Sequence, residues 1–104
     1  MKIQVNTDHN IHGHEATIES IEAMVESTLG HLAEHITRVE VHLTDENAKK
    51  GGSTDKRCMM EARLENHQPI AVTEEAATMD TAVDGAAHKL KRLIDHTLSR
   101  LSAH

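Results

Sequence analysis

Met79-Asp80-Thr81-Ala82-Val83-Asp84-Gly85-Ala86-Ala87-His88-Lys89-Leu90-Lys91-Arg92-Leu93-Ile94-Asp95-His96-Thr97-Leu98-Ser99-Arg100-Leu101 has the periodicity of one long helix. Val83, Ala86, Ala87, Leu90, Ile94, Leu98 and Leu101 recur at helical spacing. Beside that apolar stripe runs a polar track, Lys89, Arg92, His96 and Arg100, at intervals of three, four and four, which aligns side chains on one helix face. Residues 86–104 carry a net charge of +3 in a chain of −6, leaving −9 on residues 1–85. A basic helix thus closes an acidic protein.

Upstream of the helix, Thr78 or Asp80 can serve as its cap. Ile70 and Val72 begin a short strand in which Pro69 suits an edge position. Asn66-His67-Gln68-Pro69 reads as the turn into it. Before the turn, Cys58, Met60, Ala62 and Leu64 alternate with Arg57, Met59, Glu61, Arg63 and Glu65, which is a strand with one apolar face. Asp45 to Asp55 is a polar loop with Gly51-Gly52 at its tip. Val39, Val41 and Leu43 alternate with Arg38, Glu40, His42 and Thr44 to give another strand. From Glu15 to Glu34, Ile18, Ile21, Val25, Leu29 and Leu32 mark an amphipathic helix with Glu15, Glu19, Glu22 and Glu26 on one face. Asp8 to Gly13 reads as a loop, and Met1, Ile3 and Val5 alternate as a first strand.

The order is β-α-β-β-β-α, and the expected fold class is α+β. A strand-helix-strand unit makes the first two strands parallel, and the next two connections suit antiparallel neighbours. The expected architecture is a four-stranded mixed sheet with both helices packed on one face. Charged residues alternate on the other. At 104 residues the chain is expected to form one domain, residues 1–104.

Composition narrows the function. The chain has no Phe, Tyr or Trp, so it lacks the rings on which single-stranded nucleic acids are usually stacked. Its one cysteine, Cys58, argues against a disulfide framework and for a reducing compartment. No apolar run approaches the roughly 20 residues of a membrane span, and a cytoplasmic protein with no membrane partner is expected. The net negative charge means that any nucleic-acid contact must be local and salt-sensitive.

Ten histidines raise the question of a metal. His9, His12 and His14 cluster in the first loop, and His31 and His35 stand one helical turn apart. Zinc requires three or four ligands in tetrahedral array, and the His31-Leu32-Ala33-Glu34-His35 stretch lacks a Glu directly after its first histidine. No metal and no cofactor is implied. Cys58 falls on the apolar face of its strand, where a thiol is structural rather than reactive. No nucleophile-base pairing, phosphate-cradling glycine loop or isolated carboxylate pair argues for an enzyme. Lys89, Lys91, Arg92, His96 and Arg100 remain as candidate phosphate contacts. Helix-dipole complementarity explains basic residues only in the last turn, and Lys89 and Arg92 lie earlier. Both sit off the apolar stripe and are expected to be replaceable without loss of fold.

The order of elements resembles the bacterial ribosome hibernation promoting factors, or sigma-factor modulation proteins. The resemblance is carried by Val5-Asn6-Thr7-Asp8-His9-Asn10-Ile11, by Ile36 to Leu43, by Asp55 to Leu64, and in the last helix by Ala82 to Ala86 and Lys89 to Leu93. It implies a stress factor that occupies the decoding channel of the small ribosomal subunit and blocks messenger and transfer RNA. Its partners would be that subunit and its ribosomal RNA, with the protein a monomer or weak dimer. Family members contact ribosomal RNA through basic residues of both helices. Those of the last helix correspond to Lys89 and Arg92, with Lys91 and Arg100 nearby. Those of the first fall at Glu22, Thr28 and His31, which makes this an acidic variant. The chain ends at His104, so a short form is expected. A protein-interaction module is the alternative, motivated by the acidic first helix and its small outer residues Ala16, Ser20, Ala23, Ser27 and Gly30.

Overall fold

Alternating apolar residues build the strands, and their register brings those residues into rows across a single sheet face. The computed structural model describes residues 1–7, 15–45 and 56–102. Among them the elements are β1 (Lys2–Thr7), α1 (Glu15–Leu29), β2 (Ile36–Asp45), β3 (Lys56–Leu64), β4 (Ile70–Ala76) and α2 (Met79–Ser102). The loop readings at 8–13 and 46–55, with the His9, His12 and His14 cluster and the Gly51-Gly52 tip, lie outside the described residues. The sheet order is β1-β2-β3-β4. β1 and β2 are parallel, while β2–β3 and β3–β4 are antiparallel. The mixed sheet and element order expected from the sequence are what forms.

Val5, Val41, Met60 and Val72 stand side by side across the four strands, with Ile3, Val39, Ala62 and Ile70 as the next such row. Onto this face α1 sets Ile21, Val25 and Leu29, and α2 sets Val83, Ala86, Ala87, Leu90 and Ile94, all fully buried. With no aromatic side chain in the sequence, the core is aliphatic and Met60 is among its largest members. Each buried Leu, Ile or Met contributes about 1.5–3 kcal/mol. The alanines at 86 and 87 give α2 a flat surface that lies close to the strands.

Two boundaries and one residue's burial differ from the sequence reading. α1 stops at Leu29 rather than Glu34. The chain tightens there into a 3-10 turn over Gly30–Leu32, in which the Ala33 N–H reaches the Gly30 carbonyl at 3.1 Å and the His35 N–H reaches Leu32 at 2.9 Å. His31 and His35 therefore do not share a helix face. β4 runs a full seven residues to Ala76, because it pairs with β3 along its whole length. Leu101, expected in the apolar stripe, is 56% exposed at the end of α2. Thr78 is the cap of α2: its Oγ1 accepts from the Thr81 N–H at 3.1 Å, satisfying one orphan donor of the first turn.

Candidate nucleic-acid interface

The outer face of α2 holds the charged track, and α2 runs back along β4, with Lys89 beside Thr73 and Arg100 beside His67. The five candidate residues are not equivalent there. Lys89 Nζ lies 2.6 Å from Glu74 Oε1 and donates to the Thr73 carbonyl at 2.9 Å. It fastens α2 to β4. Replacing it with Glu would set a second carboxylate against Glu74, since Lys89 has a contact with β4 as well as its place in the track. Lys91 pairs with Asp95 at 3.1 Å, one turn on. Such a pair is worth only a few tenths of a kcal/mol and yields readily to a phosphate. Arg92, His96 and Arg100 are exposed, and among the described residues neither Arg92 nor Arg100 forms an ion pair.

Arg92 and Lys91 open onto a groove of about 700 Å³ between the two helices. α2 contributes Asp84, His88, Lys91 and Arg92 to it, and α1 with the 3-10 turn contributes Ser27, Thr28 and His31. His88 Nδ1 lies 2.9 Å from the Asp84 carbonyl and 3.4 Å from its carboxylate. Two cations, two imidazoles and two hydroxyls thus face one open cleft with a single carboxylate. That set of donors suits an anionic oxygen ligand. His96 and Arg100 do not line this groove. Arg100 lies farther along α2, in a smaller cleft of about 280 Å³ with His67, Thr97 and Leu101.

The acidic stripe of α1 faces elsewhere. Glu22 and Glu26 line a depression on the β1 flank with Met1, Ile3 and Ala23. Glu19 is exposed one turn before them. To the groove itself the α1 side contributes, among the described residues, two neutral hydroxyls and His31. Glu22 and Glu26 are therefore kept out of the cationic groove by the rotation of the helix about its axis. Asp84 is not singled out by the sequence, although the 84-88-92 spacing places it on one face with His88 and Arg92.

No group of three or more side chains able to hold a metal occurs among the described residues. No described helix is long and apolar enough to cross a membrane.

A profile of the family described as sigma 54 modulation protein / S30EA ribosomal protein matches residues 7–102. No curated protein matches the sequence. Among solved structures, the N-terminal domain of Protein Y from Thermus thermophilus is similar, at 22% identity and a TM-score of 0.68, over 93% of this chain and 99% of that one. A ribosomal subunit interface protein from Coxiella burnetii is similar at 20% identity and a TM-score of 0.69, with all of both chains covered. At these identities the likeness is one of fold.

Proposed function

The chain belongs to the sigma 54 modulation protein / S30EA ribosomal protein family, and from that premise we propose that it is a ribosome-associated hibernation factor. It occupies the decoding channel of the small subunit under stress and excludes messenger and transfer RNA. Phosphate contacts by Arg92, Lys91 and Arg100, with His96 alongside, hold the folded domain in place, and its bulk does the blocking. Lys89 serves the same surface indirectly, by fixing α2 on the sheet. No step of this mechanism requires bond chemistry.

The observation that carries the reading is the separation of charge across α1. An acidic first helix would repel RNA if its carboxylates faced the α2 cations. Glu22 and Glu26 instead lie on the opposite flank, so the groove presents its cations to a polyanion. Sedimentation of ribosomes from starved cells at low salt tests the proposal. The protein is expected in the small-subunit and whole-ribosome fractions, and its absence from both at native abundance would sink the idea.

A second reading draws on the same separation. The exposed Glu19, Ser20, Ala23 and Glu26 form a smooth acidic strip suited to a basic protein. A pull-down dominated by one basic polypeptide and unchanged by ribonuclease would favour that reading over ribosomal RNA.

A further inference from the structure

The open face of the sheet carries an arrangement that folding does not require. Lys2, Arg38 and Arg63 stand opposite one another across β1, β2 and β3. The next row on the same face is Gln4, Glu40 and Glu61. Like charges directly opposed on neighbouring strands are destabilising, and here cation faces cation and carboxylate faces carboxylate. The charges are relieved only along each strand. Arg38 Nε lies 3.2 Å from Glu40, and Arg63 Nε lies 3.8 Å from Glu61, while Arg38 also donates to Gln4. These contacts hold the guanidinium groups near the sheet surface, and Lys2, Arg38 and Arg63 (+3) against Glu40 and Glu61 (−2) leave the two rows together at +1.

This row sits at the end of the molecule to which the α2 track leads. Arg63 is the penultimate residue of β3, and the turn that follows brings His67 into the cleft with Arg100. The backbone makes that turn through Asn66 in the left-handed region, at φ 59°. Cations thus continue from Arg92 and Arg100 on the helix layer, past His67, to Arg63, Arg38 and Lys2 on the sheet. Three neighbouring strands span about 10 Å, long enough to meet successive phosphates of one strand. The carboxylates of Glu40 and Glu61, one row in, oppose a polyanion lying farther across the sheet.

We propose that the Lys2–Arg38–Arg63 row is a second phosphate-contact site, so that RNA is gripped at this end of the protein from both the sheet and the helix layer. The inference rests on the ribosome-binding reading above and adds a surface to it. Its ligand is the phosphodiester backbone rather than any base.

The test is a salt titration of binding to purified small ribosomal subunits. Three variants are compared with the parent: Lys2→Gln with Arg63→Gln, Arg92→Gln with Arg100→Gln, and all four together. The replaced side chains are exposed, and an unchanged thermal unfolding midpoint confirms the fold. Each lost phosphate contact should flatten the plot of log affinity against log salt by about 0.7–0.9. The sheet variant should therefore lose about 1.4–1.8 of slope, with the helix variant losing a similar amount and the two losses adding in the quadruple variant. A sheet variant with the parent slope, beside a helix variant that has lost its own, overturns the second site and leaves the ribosome reading standing. A parent protein that does not bind the subunit at all removes both.

Discussion

Glu74 makes a polar contact between β4 and α2, beside the apolar packing that attaches the helix. It stands on the core-facing side of β4, opposite Cys58, where an unpaired carboxylate would be costly. Lys89 supplies the partner at 2.6 Å, and Gly85 supplies the room. A Cβ at Gly85 would lie 2.8 Å from Glu74 Cγ and Oε2, closer than real contacts allow. Gly→Ala in a helix interior ordinarily stabilises by about 1 kcal/mol. Gly85→Ala is expected to give little or none of that gain in the parent, because Glu74 must leave its place. In a Glu74→Ala background the full gain should return, and urea unfolding of the four proteins of the cycle reads the difference. A full gain in the parent would show that Glu74 is not held there. Cys58 gives a pH prediction: burial, reinforced by the Glu74 carboxylate, pushes its thiol from 9.0 up to about 12. Below pH 9 both folded and unfolded chains keep the proton. Above it the unfolded chain ionises first, so stability falls as pH climbs toward 12. Thermal unfolding at pH 8 and pH 10 should show a steeper loss for the parent than for Cys58→Ala, and parallel losses would contradict the assignment.

Among the elements, α2 carries both a fully buried stripe and the face proposed to bind RNA, and substitutions on its two faces should separate these roles. Leu90→Ala removes a fully buried side chain and should cost about 2–5 kcal/mol. Thr78→Ala removes the cap and should cost about 1 kcal/mol. Arg92→Ala, on the exposed face, should change stability by less than about 0.5 kcal/mol while weakening ribosome binding; denaturant unfolding beside a binding assay checks all three. This helix was legible in the sequence because its apolar residues keep a strict helical period over more than four turns. The strands were legible for the same reason at a period of two. The end of α1 was not, since Leu32 continues the apolar period past Gly30 and only the 3-10 hydrogen bonds break it. The length of β4 was hidden by Thr73-Glu74-Glu75, which does not read as a half-buried strand. Glu74 is tolerated there because Lys89, fifteen residues on, reaches back to it. The basic track itself could be read directly, but the different task of Lys89 within it depends on a long-range contact.

For the whole molecule, what matters is where charge of each sign is placed. An acidic chain of −6 binds a polyanion only where its cations are locally concentrated and its carboxylates turned away. The fold does this by setting Glu22 and Glu26 toward β1 and Ser27, Thr28 and His31 toward α2. Sequence periodicity placed the glutamates on one face of α1 but did not say which flank would meet α2, because that depends on how two distant segments pack. The central claim is that exposed cations of α2, and not the acidic flank of α1, bind the small ribosomal subunit. Its most direct measurement is co-sedimentation with purified small subunits at low and rising salt, for the parent, Arg92→Glu with Arg100→Glu, and Glu22→Gln with Glu26→Gln. The parent should co-sediment at low salt and be released as salt rises. The α2 variant should lose binding by 10-fold or more, on the order of 1.4 kcal/mol, and the α1 variant should bind about as the parent does. An α2 variant that sediments with the subunit as well as the parent would contradict the account.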